Sequence, residues 1–179
     1  MATELDSLIR HDVEAGPSYE QELREVRSVA QRLLAHMNQP EVAALLAAAN
    51  QPKRHSRDVQ DVILPVAKEL GFLDESKGLF GTLKTPGLRP DYFKPMGATG
   101  ILLEVERGKT ITNNMDLLDF WKCHLCERAH YLFLVVPSQL KHHEDDSPAN
   151  AYRYVMTRLS TFFEPRNATN VRGLFVFGY

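Results

Sequence analysis

Six apolar residues in a row, Tyr131 to Val136, constrain this chain more than any other feature. A strand with one face in water alternates polar and apolar residues. An unbroken β-branched and aromatic run belongs to a strand covered on both faces, and such strands usually lie parallel to a neighbour. A parallel pair needs a crossover, and the preceding residues supply one. Residues 100–106 (Gly-Ile-Leu-Leu-Glu-Val-Glu) read as a strand. Residues 114–128 follow with helical spacing through Leu117, Leu118, Trp121 and Leu125, with Asn114 placed to cap and Asp116 early enough to favour the helix dipole. Strand 100–106, helix 114–128 and strand 131–136 therefore form one βαβ unit, expected to be right-handed.

The flanking segments extend this unit in both directions. Residues 17–37 and 56–71 carry amphipathic helical patterns, the first opened by Ser18 with Gln21 and the other closed by Gly71, and between them Pro40 starts a short apolar helix over 42–49. Pro65 is expected to bend the third helix or shift its boundary. Residues 79–84 and 88–94 read as two more short strands between Pro/Gly turns. Ser147-Pro148 opens a helix over 148–163, and residues 174–177 close with a strand. The expected fold is α/β: a mixed central sheet with a β-β-β-α-β core flanked by helices, preceded by a helical segment. At 179 residues the chain suits one hydrophobic core, so one compact domain is expected, with residues 1–55 as a helical subdomain and 56–179 as the α/β core.

Charge and hydropathy narrow the partners. No run approaches 18 apolar residues, which argues against a membrane-spanning helix. The first residues lack the apolar stretch of a signal peptide, and there are two cysteines, so a reducing, cytoplasmic setting is expected. A net charge of −2 argues against coating nucleic acid by bulk electrostatics, but local basic patches can still contact phosphates. Such clusters lie at Lys53 to Arg57, at Lys84 to Lys94 with Arg89 between them, and at Arg107-Gly108-Lys109; each also reads as a solvated loop.

Three acids stand out. Glu104 and Glu106 are two apart on a strand and share a face, while Ile101, Leu103 and Val105 fill the other. Inside a sheet, two such carboxylates need cations. Asp91 ends the preceding strand, one short turn away. This trio supplies hard oxygen ligands suited to Mg²⁺ or Mn²⁺, and an ion there could polarise a phosphate and activate water. The other reading of these acids is an exposed acidic strand face.

Arg89-Pro90-Asp91, twelve residues, then Glu104-Val105-Glu106 resembles the PD-(D/E)xK signature of the restriction-endonuclease-like nucleases, over about residues 57–137. That family includes restriction endonucleases, junction resolvases and repair nucleases. Its last motif position is mostly lysine; Glu106 resembles a minority of type II restriction enzymes with glutamate there. The resemblance implies a divalent-metal-dependent endonuclease that hydrolyses DNA phosphodiester bonds, in a restriction or defence setting. Asp91 and Glu104 would bind Mg²⁺ or Mn²⁺, Glu106 would hold or orient water, and Lys109 would contact phosphate as a displaced cation. Family members often add a helix glutamate, for which Glu69 is the best-placed match and Asp61 the second. Arg89, Arg107, Lys109, Asn113 and Asn114 are the expected nucleic-acid contacts. The polar loop from Gly108 to Asn114 could hold phosphate at a helix start, or be an ordinary capped connection. Cutting both strands of a duplex would favour a homodimer, or a place in a larger complex.

Two other classes compete. One is a catalytically inactive nuclease-like fold that serves as a binding or scaffold subunit. The other is a zinc-stabilised module built on Cys123, His124, Cys126 and His130, with His142-His143 as remote ligands; a second ligand pair at structural spacing is lacking, and buried free thiols are ordinary core residues. Phe120 and Trp121 are expected in the core.

Overall fold

The computed structural model describes residues 2–10, 17–74, 78–81, 83, 88–108, 110–141 and 143–179. Its strands are β1 (Glu4–Ile9), β2 (Leu73–Asp74), β3 (Tyr92–Met96), β4 (Thr99–Val105), β5 (Tyr131–Val136) and β6 (Gly173–Gly178). Its helices are α1 (Pro17–Met37), α2 (Pro40–Ala49), α3 (Ser56–Glu69), α4 (Met115–Leu125) and α5 (Ala151–Ser160). The strands form one sheet in the order β1-β6-β5-β4-β3-β2. β4, β5 and β6 run parallel; β1, β3 and β2 are antiparallel to their neighbours. The fold is therefore a mixed α/β sheet flanked by helices, with the expected β-β-β-α-β order as β2-β3-β4-α4-β5.

Side-chain alternation explains the layers. On one face, Ile101, Leu103 and Val105 of β4, Tyr131, Phe133 and Val135 of β5, and Phe175 and Phe177 of β6 pack beneath α1, α2 and α3. On the other, Leu102, Leu132, Leu134, Val136, Leu174 and Val176 meet α4 and α5. Both faces of β5 are covered, which is why its sequence is apolar throughout. The ladder is in register with this pattern, Leu103 pairing with Tyr92 of β3 and with Phe133 of β5.

The differences from the sequence reading are local. The sequence pattern of residues 4–9 marks no strand, yet they form β1 against β6. Of residues 79–84, the described ones are turn and bend; Thr82 and Lys84 lie outside the described residues, and the first strand of the core is the two-residue β2 instead. Helix α5 starts later than Ser147, capped by Asn150, whose Oδ1 accepts from the Arg153 amide at 2.9 Å. Ser18 lies inside α1 rather than capping it. Helix α3 runs through Pro65 and ends as expected at Gly71, whose φ of +83° only glycine adopts without strain. There the Gly71 and Phe72 amides donate to the Lys68 and Ala67 carbonyls, closing a Schellman motif. No helix among the described residues is long and apolar enough to cross a membrane.

Candidate active site

The site grows from the β3–β4 pairing. The register that sets Tyr92 opposite Leu103 places Asp91 beside Glu104, just past the end of the ladder. The two acids are then tied reciprocally. The Asp91 amide donates to Glu104 Oε2 at 3.1 Å, and the Val105 amide donates to Asp91 Oδ2 at 2.8 Å. Glu104 has the parity of Leu102 and so points to the α4 side, where it is 1% exposed. Glu106 follows β4, and its backbone is held on both sides: its amide donates to the Val135 carbonyl at 2.8 Å, and its carbonyl accepts from the Tyr179 hydroxyl at 3.0 Å.

Helix α4 contributes the cation. Lys122 Nζ stands 3.1 Å from Glu104 Oε1 and 2.9 Å from Asp119 Oδ1, with the lysine side chain 12% exposed and that of Asp119 fully buried. Asp119 Oδ2 has no hydrogen-bond partner. Helix α3 adds Gln60, whose side chain hydrogen-bonds Asp91, and Arg57, which pairs with Asp61 at 2.9 Å. A cleft of about 600 Å³ opens over this group, lined among others by Arg57, Gln60, Arg89, Asp91, Leu118 and Lys122.

The electrostatics are those of acids short of positive charge. Burial, then repulsion from Asp119, pushes Glu104 well above the usual carboxyl range, with Lys122 working against the shift. Burial, with Asp119 and Asp91 nearby, raises Glu106 to about 8. Asp119 is raised to about 6 by burial, held down in part by Lys122. Asp91 is raised by burial, tempered first by the Val105 amide. For Lys122, burial opposes the charge, but Glu104 and Asp119 outweigh it and strengthen its hold on the proton. These are buried hard-oxygen donors with one unpartnered carboxylate oxygen, a donor set that fits Mg²⁺ or Mn²⁺. As arranged here, amides and the Lys122 ammonium engage the Asp91 and Glu104 oxygens, and no three acid, histidine or cysteine side chains among the described residues form a cluster able to hold an ion.

The remaining expected residues fall elsewhere. Glu69 is not at the site: it is exposed near the end of α3 and pairs with Arg32 at 3.3 Å, and Gln60, more than two turns earlier, takes the place facing Asp91. Arg107 does not face the cleft. It is 4% exposed, and its guanidinium donates to the backbone carbonyls of Arg54, Asn50 and Gln51, clamping the loop between α2 and α3. Asn113 is exposed; Asn114 occupies the start of α4 at φ 54° without capping it, its Oδ1 accepting from Arg158 at 2.8 Å. Arg89 lines the cleft. Lys109 and His142 lie outside the described residues. Cys123 and Cys126 are buried, and burial raises both thiols; His124 Nδ1 faces Thr169 and Asn170, and His130 faces Thr99.

Sequence reasoning missed Asp119, Lys122 and Gln60. The signal for the first was present: Asp116, Asp119, Phe120 and Cys123 recur at helical spacing and are the buried face of α4. Leu118, Trp121 and Leu125, taken as that face, are exposed, Trp121 by 49%. The apolar pattern pointed outward because two aspartates hold inward positions.

No family model matches the chain, and no curated protein matches it. Among solved structures, the chain is similar to a crystal structure of the restriction endonuclease BglII complexed with a DNA 16-mer, at 12% identity over 99% of this chain and 78% of that one, with a TM-score of 0.48.

Proposed function

We propose that the chain is a divalent-metal-dependent nuclease that hydrolyses phosphodiester bonds of DNA in the cleft above β3 and β4. The observation that carries this reading is the reciprocal Asp91–Glu104 tie across the strand pair, with the Lys122 ammonium 3.1 Å from Glu104 at the cleft wall. It supports the PD-(D/E)xK resemblance with a geometric partner for each acid.

Asp91 and Glu104 would hold the ion, with Glu106 beside them. A divalent ion there supplies Lewis-acid polarisation of the phosphate and a lowered pKa for the attacking water. Glu106, raised to about 8 by burial, would be mostly protonated in the ion-free site at neutral pH; a divalent ion held by Asp91 and Glu104 would favour its ionised form, which could then orient the water. Lys122 replaces the motif lysine from a different element, facing the phosphate and offsetting charge that develops on it. Arg57 and Arg89 line the same cleft and would contact the flanking backbone phosphates, which positions a strand without reading its sequence. Asp91, Glu104 and Lys122 make a single acid–lysine centre in each chain, so double-strand cleavage would call for a homodimer or a larger complex.

Incubation with plasmid and with single-stranded DNA in Mg²⁺ and in Mn²⁺ tests the proposal. Cleavage is expected with the unaltered chain and lost in Asp91→Asn, which keeps the side-chain volume. Metal binding without cleavage of any substrate would favour instead an inactive, nuclease-like binding subunit, a reading consistent with an ammonium already engaged by two carboxylates.

A further inference from the structure

Asp119 is unexplained by the motif. It comes from α4 and is fully buried; one oxygen contacts Lys122 at 2.9 Å and the other has no hydrogen-bond partner. A buried carboxylate with a single partner is costly, so the partner and its freedom to move bear on what Asp119 does. Lys122 is a point charge on a flexible stem with three donors, and two of its directions are occupied by Asp119 and Glu104. Glu104 has a donor on each oxygen in turn: Oε2 accepts from the Asp91 amide and Oε1 from Lys122. To coordinate an ion, Glu104 must give up Lys122 or share with it, and an ammonium in contact with a divalent ion repels it strongly.

Building on the metal-dependent reading, we infer that Lys122 is the site's internal counter-cation. Its ammonium holds the place of the divalent ion between Glu104 and Asp119, and it must leave Glu104 when the ion binds, with Asp119 as the acceptor that keeps it beside the phosphate. Asp119 and Lys122 are thus positioning residues for metal entry as well as neighbours of the reaction. The arrangement stabilises the ion-free site and lowers its metal affinity by the competition.

Titration of Mn²⁺ by calorimetry, without nucleic acid, reads this directly. Lys122→Met should tighten Mn²⁺ binding by about tenfold or more, because the competing charge is gone. Lys122→Arg should stay near the unaltered protein, and Asp119→Asn should weaken binding, since it leaves the ammonium on Glu104 alone. Unchanged or weaker binding in Lys122→Met would overturn the inference. Should that variant fail to fold, the unaltered protein gives the same answer: the Lys122 ammonium resonance should shift as Mg²⁺ saturates the site, and no shift overturns it. Plasmid cleavage separates the two ideas. A chain that cuts DNA but whose Mn²⁺ affinity ignores Lys122→Met keeps the nuclease reading and loses this one. A chain that never cuts but gains affinity in Lys122→Met does the reverse.

Discussion

Glu104 and Glu106 are two residues apart and chemically different. Glu104 is locked between an amide and an ammonium, while Glu106 has its backbone pinned and shares the site with Asp119 and Asp91. Replacing Glu106 with lysine would restore the residue commoner in the PD-(D/E)xK signature that the chain resembles, but Lys122 already provides an ammonium, so Glu106→Lys places a second one in the site proposed to take a divalent ion. At about 4 Å and an effective dielectric near 20, each unit charge changes the attraction for that ion by several kcal/mol. Mn²⁺ affinity is therefore expected to fall by about a hundredfold or more, and any cleavage should need higher Mg²⁺, while circular dichroism stays unchanged. Calorimetry and a Mg²⁺ series of the cleavage reaction measure both. If neither moves, Glu106 is a bystander and the role assigned to it is wrong.

Helix α4 shows how far the sequence could be read. Its place in the crossover was legible, because β4 and β5 are apolar enough to demand one, and so was the pairing of Asp91 with the Glu104 strand, because a two-residue period fixes which face a strand residue takes. Its orientation was not. A helical pattern is read from apolar residues, and the inward face of α4 carries Asp116 and Asp119, whose burial only makes sense once Arg158 and Lys122 are brought to them by the fold. Arg107 was misplaced for the related reason that backbone carbonyls, its partners here, leave no mark in a sequence. The Asp116–Arg158 pair joins α4 to α5, with Arg158 Nε donating to Asp116 Oδ2 at 2.9 Å. Arg158→Ala should cost about 3–5 kcal/mol, since it strands a buried carboxylate, whereas the double change Asp116→Leu with Arg158→Met should cost far less. Chemical denaturation of the three proteins checks this; a loss under about 1 kcal/mol for Arg158→Ala would show that the pair is not a true buried bridge.

The whole molecule sets its candidate site on a sheet whose central strands are held from both faces, so the acids on and beside β3 and β4 and the lysine on α4 inherit a rigid frame. The same sheet has an outer margin at β1, a strand with Glu4 and Asp6 on it and mostly exposed or half-buried side chains. Beside it lies β6, Gly-Leu-Phe-Val-Phe-Gly, buried from end to end and without a single charge. β1 is thus a cover over a segment with the composition of a self-associating cross-β strand: short, strongly β-forming, uncharged and free of proline. Deleting residues 2–10 should leave the cleft's residues in place and yet bare the backbone of β6 to other chains. Light scattering at rising protein concentration should then show growing aggregates where the undeleted chain stays monodisperse, and equal behaviour would mean that β6 is protected without β1. A six-residue edge strand far from the cleft would on this account decide whether the protein remains dispersed at all.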